Sequence, residues 1–542
     1  MRLHYFILLS FFLNCTDLKS QQQLPSVKTH FKQVSLLFNI DAKGVPTYAV
    51  QYKNQPVILP SALGFSLADG KQLNQNFEIT SIDSAENNST WQPVWGEVKE
   101  IKDHHKRICF RLKQKNAPFI QLNIIFKLFE EGVGFRYEFP NQPGLRFFTI
   151  TNENTEFNLV GNHTAFWIPG DYDSNEYTYR QTQLHEIDAW QFPLFNHGKI
   201  EKRIPFNNLV QTPLMLKTAN GLYINIHEAA LVNYSALYLQ VNKSNFSLKA
   251  SLVPDAEGNL AYLRTPANTP WRTIIVSDKA ADILASKMIL NLNEPSKITE
   301  TSWIKPMKFM GVWWEMQTGK SAWSYTNNLD TTDANGNLIP HGKHAANTNN
   351  VLKYIDFAAQ FGIEGLLIEG WNKGWEEWTD VWKEQNFDYV TPYPDFDLPR
   401  ITAYAKQKKV QLIMHNETGG SATNYDRLLD TAYRFMTKNS YNAVKTGYVG
   451  KIIPRGEHHD GQWMVLHYER VAKKAADYKV MIDMHEPVRP TGLHRTYPNW
   501  LANEAARGNE WHAFANGNPP NHETILPFTR LLGGPMDYTP GI

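Results

Sequence analysis

Cysteine is almost missing from this 542-residue chain, which holds only Cys15 and Cys109. If Cys15 leaves with an N-terminal signal, Cys109 has no partner for an internal disulfide. Cys109 lies in Arg107-Ile108-Cys109-Phe110, which alternates like a strand, so it reads as a small buried hydrophobe rather than a nucleophile. Charge of one sign is missing too. The 54 Lys and Arg residues nearly cancel the 53 Asp and Glu residues, leaving a net charge of +1. That gives no support to a nucleic-acid footprint or an acidic tail. No stretch beyond the first residues stays apolar for the roughly 20 positions a membrane helix needs. There is no G-x-S-x-G elbow, no H-E-x-x-H helix and no Gly-rich phosphate loop after any apparent strand.

Hydrophobic residues make up 42% of the chain and charged residues 20%, which is a globular balance. Aromatic residues reach 13%, with 16 Trp and 24 Tyr. Such richness suits a carbohydrate binder, because sugar rings stack their apolar faces on aromatics. It suits the aromatic core of a large β protein equally well.

The N-terminus reads as an export signal over residues 1–20. Arg2 precedes the short apolar run Tyr5 to Leu13, and cleavage after Ser20 would release the chain to a periplasm. Cys15 raises a lipoprotein reading, but Asn14 before it is a poor match for that processing, which prefers a small residue.

Residues 24–300 read as β. Leu122, Ile124, Phe126 and Leu128 alternate with polar neighbours, Gly132-Val133-Gly134 breaks the run, and Phe135 to Phe139 follows. Many such strands indicate a large β-sandwich followed by a linker. From about residue 301 to 542 the pattern changes. Apolar strands at Met310 to Trp314, Gly365 to Ile368, Val410 to Met414, Ala443 to Val449 and Val480 to Met484 alternate with helical periodicity at Val351 to Phe361, Leu398 to Lys409, Tyr425 to Lys438 and Gly461 to Tyr478. Repeated βα units predict a (β/α)8 TIM barrel rather than a doubly wound sheet. Fewer than eight units can be counted, so the barrel is expected to be incomplete at its C-terminal end.

Catalytic groups in such a barrel sit at the C-terminal ends of the strands. Those ends read Trp313-Trp314-Glu315, Glu369-Gly370-Trp371, His415-Asn416-Glu417, Lys445 and His485-Glu486. Acidic residues at four of the five ends form a mouth rimmed by Trp. Paired carboxylates are what glycoside hydrolysis needs: one protonated to give a proton, one ionised to attack or to activate water. A helix is expected from about Pro498, carrying Glu504, with Gly508 ending it and letting Glu510 swing toward the barrel axis. Carboxylates gathered this closely would repel unless a cation sat among them, and oxygen ligands favour calcium. His458-His459-Asp460 is read as a polar helix start with Asp460 as N-cap, not as a zinc site.

Four long motifs carry a resemblance. Ile413-Met414-His415-Asn416-Glu417-Thr418-Gly419-Gly420, Met484-His485-Glu486-Pro487, Asn503 through Glu510, and Gly534 through Gly541 are similar to glycoside hydrolase family 97. Thr269 to Thr273, Asn291 to Pro295 and Trp303 to Pro306 resemble that family's sandwich and linker. The resemblance implies an N-terminal β-super-sandwich, a catalytic (β/α)8 barrel and a small C-terminal β-domain, the last absent from this chain. It implies inverting α-glucosidases or retaining α-galactosidases acting on oligosaccharides. In the inverting branch, Glu417 and Glu486 would be the bases and Glu510 the acid. Calcium (Ca2+) would be held by Glu176, Glu486 and Glu504, and Glu369, His415, Lys445 and His485 would touch the sugar. Retaining members lack the glutamate at the Glu417 position and take an aspartate nucleophile from a neighbouring strand end. Here the fourth strand offers Lys445, which favours inversion of an α-glucoside. A non-catalytic glycan-binding protein would need no acid/base set. Met307, where the family usually has Gly, is a departure that lies before the barrel.

Overall fold

The computed structural model describes residues 26–192, 204–329, 331–379, 382–513 and 516–540. The expected signal over residues 1–20 lies outside them.

The N-terminal half is antiparallel β. Its strands form an eight-stranded and a ten-stranded sheet with a smaller four-stranded one. The alternating run expected around Leu122 is the strand Gln121–Phe129, which pairs through the Gly132 turn with Gly132–Phe139. Gly132 has a φ of 157°, and a Cβ there would run into the Ile274 carbonyl of the next strand, so a side chain is excluded. The two large sheets meet through aromatics. Phe38 of the eight-stranded sheet stacks on Phe110 of the other at 3.9 Å between ring centroids, with Phe126, Tyr48 and Phe135 packed around them. The aromatic wealth of the sequence is therefore spent partly on this core. Cys109 is buried as a hydrophobe on the other face of the ten-stranded sheet, in a separate cluster with Ile125 and Ile275.

Six parallel strands follow, in simple spatial order: β1 (Phe309–Val312), β2 (Gly365–Ile368), β3 (Gln411–Glu417), β4 (Ala443–Gly447), β5 (Met481–Met484) and β6 (Trp500–Asn503). Four helices connect them: α1 (Thr348–Phe361), α2 (Leu398–Lys408), α3 (Ala422–Lys438) and α4 (Gln462–Asp477). Asn347 caps α1 and Asp397 caps α2 through their side chains, and Gly362 ends α1 in the left-handed conformation. The boundaries expected from periodicity differ from these by a few residues at most. The full (β/α)8 barrel does not appear among the described residues; the sheet is a half-barrel of six strands, continued only by a single parallel bridge from Asn503 to Met536.

Two local expectations are corrected. The segment after Pro498 is not a helix: Trp500–Asn503 is the edge strand β6, in register with Ile482 and Met484 of β5. Leu, Ala and Glu give that segment a high helix propensity, but main-chain pairing with β5 overrides it. Asp460 does not cap α4, whose N-cap is Gly461. The Asp460 carboxylate instead accepts from Tyr238 at 2.7 Å and Arg489 at 2.9 Å, both buried.

Candidate active site

The strand ends of β2 to β6 converge on one mouth. Glu369, just past β2, is buried and fully engaged: Oε1 pairs with Lys445 Nζ at 2.7 Å and Oε2 accepts from the Trp323 indole at 2.7 Å. Burial opposes its ionisation, but the Lys445 ammonium overrides this and holds the carboxyl down at about 2. Lys445 is correspondingly held charged despite its own burial. His415, level with Lys445 in the sheet, faces Trp375. Burial lowers its pKa to about 3, so the ring is neutral, and neither ring nitrogen has a hydrogen-bond partner. Two such nitrogens in a polar mouth are suited to hydroxyl groups of a ligand.

Glu417 ends β3. Its Oε1 accepts main-chain N–H groups of Thr418 at 2.9 Å, Gly419 at 2.8 Å and Val449 at 3.3 Å. Gly447 lies opposite it on β4, and a Cβ there would overlap Glu417 Oε2. The carboxylate therefore occupies the space a side chain would fill. Glu486 follows β5 with a φ of 55°, a left-handed conformation that a glutamate adopts only at a cost. Its Oε2 accepts the Tyr448 N–H at 2.8 Å. Burial first, then mutual charge, raises both acids: Glu417 to about 8 with Glu486 beside it, and Glu486 to about 7 with Glu504 beside it.

Glu504 and Glu510 come from the segment after β6. Asn509–His512 is a single 3-10 turn that carries Glu510. Gly508 does not end a helix; its φ is −94°, and it is small because Tyr538 and Thr539 pack where a Cβ would be. Glu510 Oε2 accepts from Gln317 Nε2 at 3.2 Å. Burial, then the charge of Glu504, pushes the Glu510 carboxyl well above the usual range. Glu315, expected at the mouth, serves the fold instead: its carboxylate accepts from Asn350 at 2.8 Å and Tyr354 at 2.9 Å, both on α1.

The sandwich contributes directly. Its loop Asp173-Ser174-Asn175-Glu176 lines, with Tyr448, Glu486 and Glu504, a cavity of about 10 Å³ at the junction of the two halves. One oxygen each of Glu176, Glu504 and Glu510 falls within 4.8 Å of the others, as does one ligand atom each of His485, Glu486 and Glu504. Both Glu504 oxygens are buried and accept no hydrogen bond, although His485 Nδ1 stands 3.3 Å from one of them. A buried carboxylate left without donors, shared by two such clusters, fits a hard cation bound through oxygen.

His485 bridges this region to a second carboxylate pair that sequence reasoning missed. Its Nε2 lies 3.0 Å from Asp537 and 3.6 Å from Asp483. Burial alone would lower the His485 pKa; the carboxylates on both sides raise it well above its ordinary value. Asp483 interrupts the apolar run Met481-Ile482-Asp483-Met484, and an ionisable group inside a parallel strand was the available signal for it. Trp323 sits on a long irregular loop and Gln317 ends the short helix Trp314–Gln317, where spacing carries no message. The structure thus brings Glu369, His415, Glu417, Lys445, His485, Glu486, Glu504, Glu510 and Glu176 into one neighbourhood.

Paired carboxylates around a mouth at the C-terminal ends of parallel strands are the equipment a glycoside hydrolase needs. Residues 29–295 match the family model described as glycosyl-hydrolase 97 N-terminal, and residues 313–506 match glycoside hydrolase 97. A family 97 enzyme from Pseudoalteromonas sp. strain K8, solved in complex with acarbose, is 38% identical with a TM-score of 0.84, over 95% of this chain and 74% of that one. A variant of it in complex with panose is equally similar, at 38% identity and a TM-score of 0.84, over 96% of this chain and 75% of that one. A retaining alpha-galactosidase of Bacteroides thetaiotaomicron is 25% identical over 91% of this chain and 70% of its own length. The chain belongs to glycoside hydrolase family 97 and is an enzyme of that family.

Gly447 yields a first prediction. Gly447→Ala suits a strand but displaces the Glu417 carboxylate. Turnover should fall about 100-fold, as a misplacement of about 1 Å can produce, with the thermal midpoint little changed. Unaltered kcat would mean that Glu417 does no chemistry where it stands.

Proposed function

We propose that the protein is an exo-acting hydrolase that releases glucose from α-glucosides with inversion at the anomeric carbon. The observation that carries this is Glu417, buried at the end of β3 and coupled by charge to Glu486, while the end of β4 presents Lys445, Thr446 and Gly447 and no aspartate. Glu510, kept protonated by burial, gives its proton to the glycosidic oxygen as that bond breaks. A water on the opposite face attacks the anomeric carbon and passes its proton to the carboxylate pair Glu417 and Glu486. Glu369, Lys445, His415 and His485 orient the sugar through its hydroxyls. The acarbose and panose complexes of the 38% identical enzyme support a glucose-containing oligosaccharide as substrate. The apolar run Tyr5 to Leu13 supports export to the periplasm.

The curated relatives favour a second reading, a retaining α-galactosidase. Proton NMR of fresh product separates the two. An α-glucoside should release the β-sugar first. If the α-sugar appears first, the enzyme retains configuration, and Glu417 is not its base.

Glu510→Gln tests the acid. It should slow hydrolysis of natural glycosides by about 100-fold or more, while sparing glycosyl fluorides, which need no protonation. Equal loss on both substrates would assign Glu510 another role.

Glu176, Glu486 and Glu504 are the residues that would hold calcium. When bound, it would offset the repulsion among these carboxylates and keep Glu486 ionised. Exhaustive chelation should abolish turnover and lower the thermal midpoint. Ca2+ should restore both better than Mg2+, which gives up its waters reluctantly. Full activity after chelation would remove the metal from the reading.

A further inference from the structure

The paired histidines at the foot of α4 are not used by the reaction above, yet their bonds lead straight to it. Asp173, on the sandwich loop that carries Glu176, accepts from His458 Nδ1 at 2.8 Å, from the His459 main-chain N–H at 3.1 Å and from His459 Nδ1 at 3.1 Å. On its other side, His459 Nε2 lies 2.8 Å from the main-chain carbonyl of Tyr448. The N–H of that same Tyr448 holds Glu486 Oε2 at 2.8 Å. A continuous strut therefore runs from the sandwich, through one imidazole and one residue of main chain, to a carboxylate of the active site.

The two partners of the ring decide its protonation. A carboxylate and a peptide carbonyl are both acceptors, and a neutral imidazole has only one N–H to offer. Both bonds can be made at once only if both ring nitrogens carry protons. We propose that His459, as an imidazolium clamped by Asp173, is a positioning residue that fixes Glu486 by way of the Tyr448 main chain.

The surroundings agree. His459 is buried, and the charged or titratable groups around it are Asp173 from the sandwich, its neighbours His458 and Asp460, the Tyr468 hydroxyl of α4, which donates to its carbonyl at 3.2 Å, and, across the small junction cavity, Glu176, Glu486 and Glu504. Asp460 is itself paired with Arg489. Burial alone would lower the His459 pKa; Asp173 and the Tyr448 carbonyl raise it above its ordinary value. The sign follows. The strut is whole at acid and neutral pH and is lost as pH rises through a point above the ordinary imidazole value of 6.5.

This inference rests on Glu486 acting on the reacting water, and its test is separable from that reading. The full-length wild type, His459→Gln and Asp173→Asn are compared on a glycosyl fluoride and on an unactivated glycoside of whichever sugar the wild type hydrolyses. Gln keeps one donor for Tyr448 but cannot serve Asp173 as well. His459→Gln should lower kcat about 10- to 100-fold on both substrates and leave KM nearly unchanged. With the fluoride, which needs no acid, the wild-type kcat should fall on the alkaline side. Asp173→Asn should move that limb to lower pH, and His459→Gln should abolish it. Wild-type kcat and pH profiles in both variants overturn the proposal, as does a loss confined to the unactivated substrate. Neutron diffraction from the wild type covers the case in which the variants do not fold. Deuterons on both ring nitrogens of His459 are expected; a neutral ring overturns the proposal whatever the stereochemistry of the reaction proves to be.

Discussion

Burying several carboxylates of one charge within a few ångströms of each other is the constraint around which this molecule is organised. Each ionised acid taken out of water costs several kcal/mol unless something replaces its hydration. The chain meets that cost in a different way for each. Glu369 receives a cation and an indole donor. Glu417 receives three main-chain N–H groups. Glu486 receives one, at the expense of a left-handed backbone. Glu504 receives none, and Glu510 stays protonated. These differences give identical side chains different environments, and so different tendencies to hold or release a proton.

That division explains what could be seen in the sequence. The strand ends of β2 and β3 were legible because a short apolar run that stops at Glu or His is a strong local signal, while β4 and β5, broken by Lys445 and Asp483, were marked more weakly. The residues that tune those ends were not. Gly447 matters only because the parallel register sets it opposite Glu417. Gln317 reaches the mouth from the short helix Trp314–Gln317 and Trp323 from a loop. Asp173, His459 and Tyr448 form a unit only once the sandwich has docked. The segment after Pro498 misled for a related reason: its composition favours a helix, and only pairing with β5 makes Trp500–Asn503 a strand. Local pattern thus fixes the groups that reach the mouth, and tertiary contact fixes their charge.

The sandwich is then more than a neighbour of the catalytic sheet. Its buried Arg272 binds Glu153 at 2.6 Å and Glu228 at 2.8 Å, and Glu228 lies 3.3 Å from Arg489 in the loop after β5. Arg489 in turn pairs with Asp460, one residue past His459. This ionic chain crosses the junction with nearly every member excluded from water. Buried pairs of this kind add little net stability, because desolvation offsets most of the attraction. They are nonetheless strict about position, because moving one partner strands the other in an apolar medium at a cost of about 3–5 kcal/mol. Since Glu176 comes from one half and Glu486, Glu504 and Glu510 from the other, a junction that cannot slide holds the four carboxylates in register.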